Sequence, residues 1–167
     1  MLIREYRPED LGTIHRINQG EVPAVGTETL EDLGGIAEQS LIALVVELDD
    51  EVVGFCLVLA PGADYDSLNY RWFSERYDDF VYLDRVAFPA PHQGRGLGRA
   101  IYAEVERLAT QRRPSATQFM LEVNLRPRND QSLAFHDRLG FVEVGQQETD
   151  YGALVSLMAK PMSSGIE

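Results

Sequence analysis

Val86-Ala87-Phe88-Pro89-Ala90-Pro91-His92-Gln93-Gly94-Arg95-Gly96-Leu97-Gly98-Arg99 decides how this chain folds. The apolar run Phe80–Phe88 reads as a strand, and Pro89-Ala90-Pro91 stops it. Glycines then recur at every second position and an amphipathic helix begins. Over 96–112, Leu97, Ile101, Val105 and Leu108 share one helical face. The first amides of a helix have no intrahelical partner. Glycines let a ligand approach them closely, and the helix dipole adds roughly half a positive charge. The segment is therefore an anion cradle suited to phosphate or pyrophosphate. It is not a P-loop, which needs Gly-Lys-Ser/Thr, and Arg99 stands where the dinucleotide pattern needs glycine. Arg95 and Arg99 flank it with positive charge. The plain alternative is a glycine-rich turn that binds nothing.

Outward from this turn, the chain alternates strands and helices. Leu2–Tyr6 reads as a short strand, followed by a helix that opens at Pro8-Glu9-Asp10 and runs to about Ile17. Residues 18–27 read as a loop, and 30–37 as a second helix. Leu41–Leu48 and Val52–Leu59 form a hairpin around Asp49-Asp50. Pro61–Asp79 is irregular and rich in aromatic and acidic residues. Pro114 ends the long helix, and Gln118–Asn124 is a central strand. Asn129 caps a further helix that Gly140 closes. Phe141–Val144 and Ala153–Ala159 are the last strands, and 161–167 is expected to be a flexible tail. The result is one domain over 1–160, an α/β fold with a mixed sheet covered by helices.

Composition narrows the function. The chain has 167 residues, enough for a core without disulfide or metal staples, and 44% of them are apolar. A net charge of −12 argues against nucleic acid and against anionic membrane surfaces. It favours cationic small molecules. Lys160 is the only lysine, which disfavours Schiff-base chemistry. Cys56 is the only cysteine, and His15, His92 and His136 are scattered, so no metal site is expected. No signal peptide and no membrane span are read from the sequence, and a reduced, cytoplasmic setting is expected.

Gln93-Gly94-Arg95-Gly96-Leu97-Gly98 resembles the Gln/Arg-x-x-Gly-x-Gly/Ala signature of the GCN5-related N-acetyltransferase (GNAT) superfamily. Asn129-Asp130-Gln131-Ser132-Leu133-Ala134-Phe135-His136-Asp137-Arg138-Leu139-Gly140-Phe141 is similar to its second signature, which ends in Leu-Gly-Phe. The resemblance implies a strongly twisted mixed sheet of about seven strands flanked by about four helices. Strands 4 and 5, here Phe80–Phe88 and Gln118–Asn124, would splay apart to hold acetyl-CoA as co-substrate. By that likeness the backbone of Val86, Ala87 and Phe88 lies along the pantetheine arm. Gln93, Gly94, Arg95, Gly96, Leu97, Gly98 and Arg99 hold the pyrophosphate, and Asn124 and Asn129 complete the cofactor-binding set. The implied reaction is direct transfer of acetyl to a primary amine, of a small molecule or a peptide, with no metal. Relatives are often homodimers. A non-catalytic acetyl-CoA-binding or protein-interaction module of the same fold is the competing reading.

The chemistry has its own demands. An alkyl amine is only about one part in 2500 neutral at pH 7, and removing its proton costs about 4.6 kcal/mol. A carboxylate must accept that proton. In Met120-Leu121-Glu122-Val123-Asn124, strand parity sets Glu122 and Asn124 on the face opposite Leu121 and Val123. A glutamate central in a buried strand should face a wet cleft, so Glu122 is the first candidate base. Asp84, placed by the same parity on the Val86 face, is the second, and Glu21 on the first interhelical loop the third. Family likeness nominates the Val86 amide for the oxyanion. His136 stands where relatives carry the tyrosine that protonates the leaving thiolate, so it is the candidate acid. The aromatic and acidic segment 61–79, with the first interhelical loop, is the expected acceptor pocket.

Overall fold

Residues 1–162 are described by a computed structural model. The elements in chain order are β1 (Leu2–Glu5), α1 (Leu11–Gly20), α2 (Leu30–Gln39), β2 (Ile42–Leu48), β3 (Glu51–Leu59), α3 (Leu68–Arg76), β4 (Val81–Ala87), α4 (Leu97–Arg112), β5 (Gln118–Arg126), α5 (Asp130–Arg138), β6 (Val142–Glu148) and β7 (Leu154–Pro161). The strands form one sheet in the order β1-β2-β3-β4-β5-β7-β6. All pairings are antiparallel except β4 with β5. That parallel pair is registered only at Val81–Phe119 and Tyr82–Met120. Beyond these residues the strands diverge, and β5 continues against β7 as far as Arg126–Leu154. The expected splay is present.

Local chemistry explains the boundaries. Asp49 and Asp50 turn the β2–β3 hairpin with φ of 50° and 63°. Aspartate tolerates the left-handed region that a two-residue hairpin turn requires. Pro8–Asp10 is a 3-10 turn that leads into α1. Thr29 caps α2, accepting from the Asp32 amide at 3.0 Å. Asn129 caps α5, accepting from the Ser132 amide at 3.1 Å. Gly140 follows α5 with φ of 94° and donates to Asp137 O at 3.0 Å, as a left-handed helix stop does.

The core is divided by the sheet. On one face Leu97, Ile101, Tyr102 and Val105 of α4 pack on Val81, Leu83, Phe119, Leu121 and Val123. On the other, Ile14 and Ile17 of α1 and Leu33 and Ile36 of α2 cover Val45, Phe55 and Leu57. Each such side chain contributes about 1.5–3 kcal/mol by burial. A third cluster joins Tyr70 and Phe73 to Phe80, Tyr82, Met120, Val155 and Leu157.

That third cluster corrects the reading of 61–79 as irregular throughout. Leu68–Arg76 is a helix, capped by Ser67, whose hydroxyl accepts from the Tyr70 amide at 3.3 Å. Its aromatic residues have modest helix propensity, so tertiary packing rather than local preference forms it. β6 is longer than the expected 141–144 because it pairs with β7 as far as Glu148–Leu154. β7 itself reaches Pro161, and the Met162 amide donates to Thr117 O at 3.0 Å. Of the expected tail 161–167, residues 163–167 lie outside the described residues. Among the described residues no helix is long and apolar enough to cross a membrane.

Candidate functional site

Two cavities open on either side of the β4–β5 divergence. The first, about 410 Å³, is lined by Val86, Phe88, Gln93, Gly94, Gly96–Arg99, Tyr102, Asn129 and Phe135. Gly94 and Gly96 have φ of 72° and 80°, and a Cβ added at either would meet no atom within 4 Å. The turn is held open by backbone conformation, and the first amides of α4 face the space it leaves. Phe88 is fixed from behind. A Cβ on Gly54 would fall 2.2 Å from its ring, so only glycine fits in β3 beneath it. The Gln93 side-chain amide donates to Phe88 O at 2.7 Å and to Glu21 Oε2 at 3.1 Å, which latches the turn to the α1–α2 loop. His92 lines the same cleft, and its Nδ1, turned inward, is the one buried side-chain polar atom among the described residues without a partner. Of the residues expected here, Arg95 is exposed and outside the lining. Asn124 lies deeper, where its amide donates to Pro23 O at 3.2 Å.

The second cavity, about 900 Å³, lies under the α1–α2 loop and the β6–β7 turn. Glu28, Glu31, Asp32, Asp64, Asp66 and Asp150 line it, together with Tyr65 and Tyr151. Glu122 and Asp84 stand at its floor, and a smaller space of about 150 Å³ connects them with Val86, Tyr102, Asn124 and His136. The aromatic segment thus divides. Tyr65 lines the cavity, whereas Tyr70, Phe73 and Phe80 are core, and Trp72 lies under the Arg76 guanidinium at 4.1 Å. Among the described residues no group of His, Cys, Asp and Glu is arranged to hold a metal ion.

The candidate bases differ in what holds them. Glu122 Oε2 accepts from the Tyr82 hydroxyl at 2.7 Å. Burial among protein groups pushes its carboxyl up to about 8, against the lowering effect of that hydrogen bond. Asp84 is fully engaged. Oδ1 accepts from Tyr65 at 2.5 Å, Oδ2 from Arg85 Nε at 2.7 Å, and the side chain is 3% exposed. Its placement also corrects the parity argument. Arg85 pairs with Leu57 but Leu83 with Val58, so one β4 residue is extra and the strand bulges at Asp84. Leu83 and Val86 therefore both pack on the α4 face, and Asp84 turns to Tyr65 on the opposite side rather than sharing the Val86 face. Glu21 lines the first cavity, raised by burial and bonded to Gln93.

His136 is 5% exposed and bonded through both nitrogens. Nδ1 lies 2.7 Å from Ser132 O, which can only accept, so Nδ1 carries the proton and Nε2 accepts from the Tyr102 hydroxyl at 2.6 Å. Burial lowers its pKa, and the ring is neutral at pH 7. Tyr102 lines both the first cavity and the small space that connects it to Glu122. Sequence reasoning missed Tyr102, Tyr82 and Arg85. Arg85 donates to Asn18 Oδ1 at 3.0 Å, Gly26 O at 3.2 Å and Glu28 Oε1 at 2.8 Å, and so fastens the loop over the second cavity. His15 adds a tie of 2.8 Å to Glu28 O. Cys56 is buried, its thiol pushed up to about 12.

The sequence profile of the acetyltransferase (GNAT) family matches residues 11–141. No curated protein sequence matches the chain. Among solved structures, Ard1 from Thermoplasma volcanium aligns with a TM-score of 0.78 at 18% identity, covering 97% of each chain. The ribosomal-protein-S18-alanine N-acetyltransferase of Escherichia coli aligns at 0.73 and 19%, covering 99% of this chain and 96% of that one. The yncA protein of Salmonella typhimurium, solved with acetyl-CoA, aligns at 0.73 and 21%, covering 100% and 96%. At these identities the likenesses establish the fold.

Proposed function

Given that the chain belongs to the acetyltransferase (GNAT) family, we propose that it moves the acetyl group of acetyl-CoA to a primary amine by direct attack in a ternary complex. The first cavity suits the coenzyme on a ground independent of likeness: an open glycine turn presents helix amides to an anion. Val86 and Phe88 offer strand backbone to a pantetheine arm, Gly94–Arg99 offer amides to a pyrophosphate, and Asn129 stands beside them. When bound, acetyl-CoA supplies the acyl group as a thioester.

The acceptor enters through the second cavity, whose carboxylates and tyrosine rings suit a cationic amine. Glu122 takes the ammonium proton, and the Val86 amide faces the oxygen on which negative charge develops. Asp84, with both oxygens occupied, acts on the shape of the cavity through Arg85 and Tyr65. The departing sulfur is served by the Tyr102–His136 pair, the Tyr102 hydroxyl turning from Nε2 to the sulfur. The acceptor is a small amine or a peptide N-terminus, and the neighbours named for acetylating protein alanine put peptides in the panel.

The observation that carries this reading is that the glycine-turn cavity and the Glu122 cavity meet where β4 and β5 part. Free thiol released from acetyl-CoA in the presence of an amine panel tests it. Turnover with any amine supports transfer. Tight acetyl-CoA binding with no thiol release across the panel leaves a coenzyme-binding module instead.

A further inference from the structure

Glu122 sits at the end of a run of side chains contributed by three separate elements. Tyr82 of β4 donates to Oε2 at 2.7 Å. Asn69 of α3, 7% exposed, lines the same cavity, and its amide favours the ionised form of that carboxylate. Gln147 of β6 donates through Nε2 to Asn69 Oδ1 at 3.0 Å. When Glu122 is ionised, the direction of this run is fixed. With its oxygen taken by Gln147, Asn69 presents its amide hydrogens to Glu122, and Tyr82 presents a hydroxyl hydrogen. Both partners favour the carboxylate over the carboxylic acid. Burial alone would hold the acid form, which cannot accept a proton.

We infer that Tyr82, Asn69 and Gln147 are positioning residues for proton abstraction, a run of polar side chains that favours the carboxylate form of Glu122 and aims it at the acceptor cavity. The inference rests on Glu122 being the base. It gives α3 a task beyond packing, because Asn69 is the residue by which that helix reaches the site. It also ties the base to β6, the strand that leads into the turn carrying Asp150 and Tyr151 at the cavity mouth. The other charged or titratable groups facing Glu122 are Asp84 and Arg85 on β4, Tyr65 before α3, Tyr102 on α4, His136 on α5 and Tyr151. None of these donates a hydrogen bond to it.

The test is the pH dependence of kcat/KM for the best amine, measured on the full chain for Tyr82→Phe, Asn69→Asp and Gln147→Leu. Removing a donor should move the midpoint of the acid limb upward by about one unit for Tyr82→Phe. The shift should be smaller for Gln147→Leu and largest for Asn69→Asp, which sets a second carboxylate against the first. Above the shifted limb, activity should return to within about threefold of the parent, with the KM for acetyl-CoA unchanged. A uniform loss at every pH with an unmoved midpoint overturns the inference. Gln147 lies on the half-exposed edge strand, so its variant reports even if a buried substitution prevents folding. A Glu122→Gln enzyme that keeps parental turnover overturns the base assignment itself. An inactive Glu122→Gln beside unmoved midpoints overturns only the role of this run.

Discussion

The two cavities are built by opposite means. The glycine-turn cavity is made largely of main chain: two glycines at positive φ, the first amides of α4 and the free edge of β4. The cavity at Glu122 is made of side chains from widely separated elements, held by Arg85, Tyr65, Tyr82 and Asn69. Main-chain sites depend on local conformation and tolerate changes of neighbouring side chains. Side-chain sites depend on distant packing and change with substitutions far along the chain. On the proposed reading, one half of the molecule fixes what is donated and the other selects what receives it.

Gly96→Asp should separate the halves most sharply. Its carboxylate takes the α4 amides for itself, so acetyl-CoA affinity should fall by roughly a thousandfold while stability changes by about 1 kcal/mol or less. Calorimetric titration with parallel thermal melts reads both, and retained affinity would displace the proposed pyrophosphate site. Glu122→Gln should do the reverse. A loss in kcat of about a hundredfold or more is expected, with acetyl-CoA affinity within about twofold. Unchanged kcat would move the base elsewhere.

pH should draw the same line. The Glu122 carboxyl is raised to about 8, so kcat/KM for the amine should climb with pH and level off above that value. Acetyl-CoA affinity should stay flat over the same window. Stability runs the other way. Between about 4.5 and about 8 the folded protein holds a proton on Glu122 that the unfolded chain has released. Unfolding free energy should therefore fall on the order of a few kcal/mol across that range, and Glu122→Gln should remove this slope. Denaturant melts at pH 5 and pH 8.5 measure it. The smallest effect is expected for Asn124→Ala, which frees Pro23 O and loosens the loop shared by both cavities. A few-fold rise in the amine KM, with that for acetyl-CoA steady, is the expected steady-state result.

The same contrast explains what was legible. The glycine turn, the α4 face, the Asn129 cap and the Asp49-Asp50 hairpin are local, and each follows from residues a few positions apart. The placement of Glu122 was legible because β5 is regular from Gln118 to Asn124 and strand parity holds over that stretch. Asp84 was misplaced because parity fails across a bulge, and a bulge depends on which residues of β3 stand opposite. α3 went unread because Tyr70 and Phe73 find their partners in β4, β5 and β7 rather than within the helix. Only Ser67, with Tyr70 and Phe73 following at three- and six-residue spacing, hinted at it. His136 was identified by position, but its neutrality comes from burial in the folded chain, and its partner Tyr102 lies 34 positions away.

The short β4–β5 register has a consequence for motion. Past Tyr82–Met120 the sheet is an open seam, with β4 held on one side only by β3. Amide deuterium uptake should therefore be fastest along the free edge of Leu83–Ala87 and slow in the β5–β7 ladder beside it. A ligand that lies along that edge as an extra strand would close the seam, and the sheet's weakest line would become one of its slowest-exchanging segments.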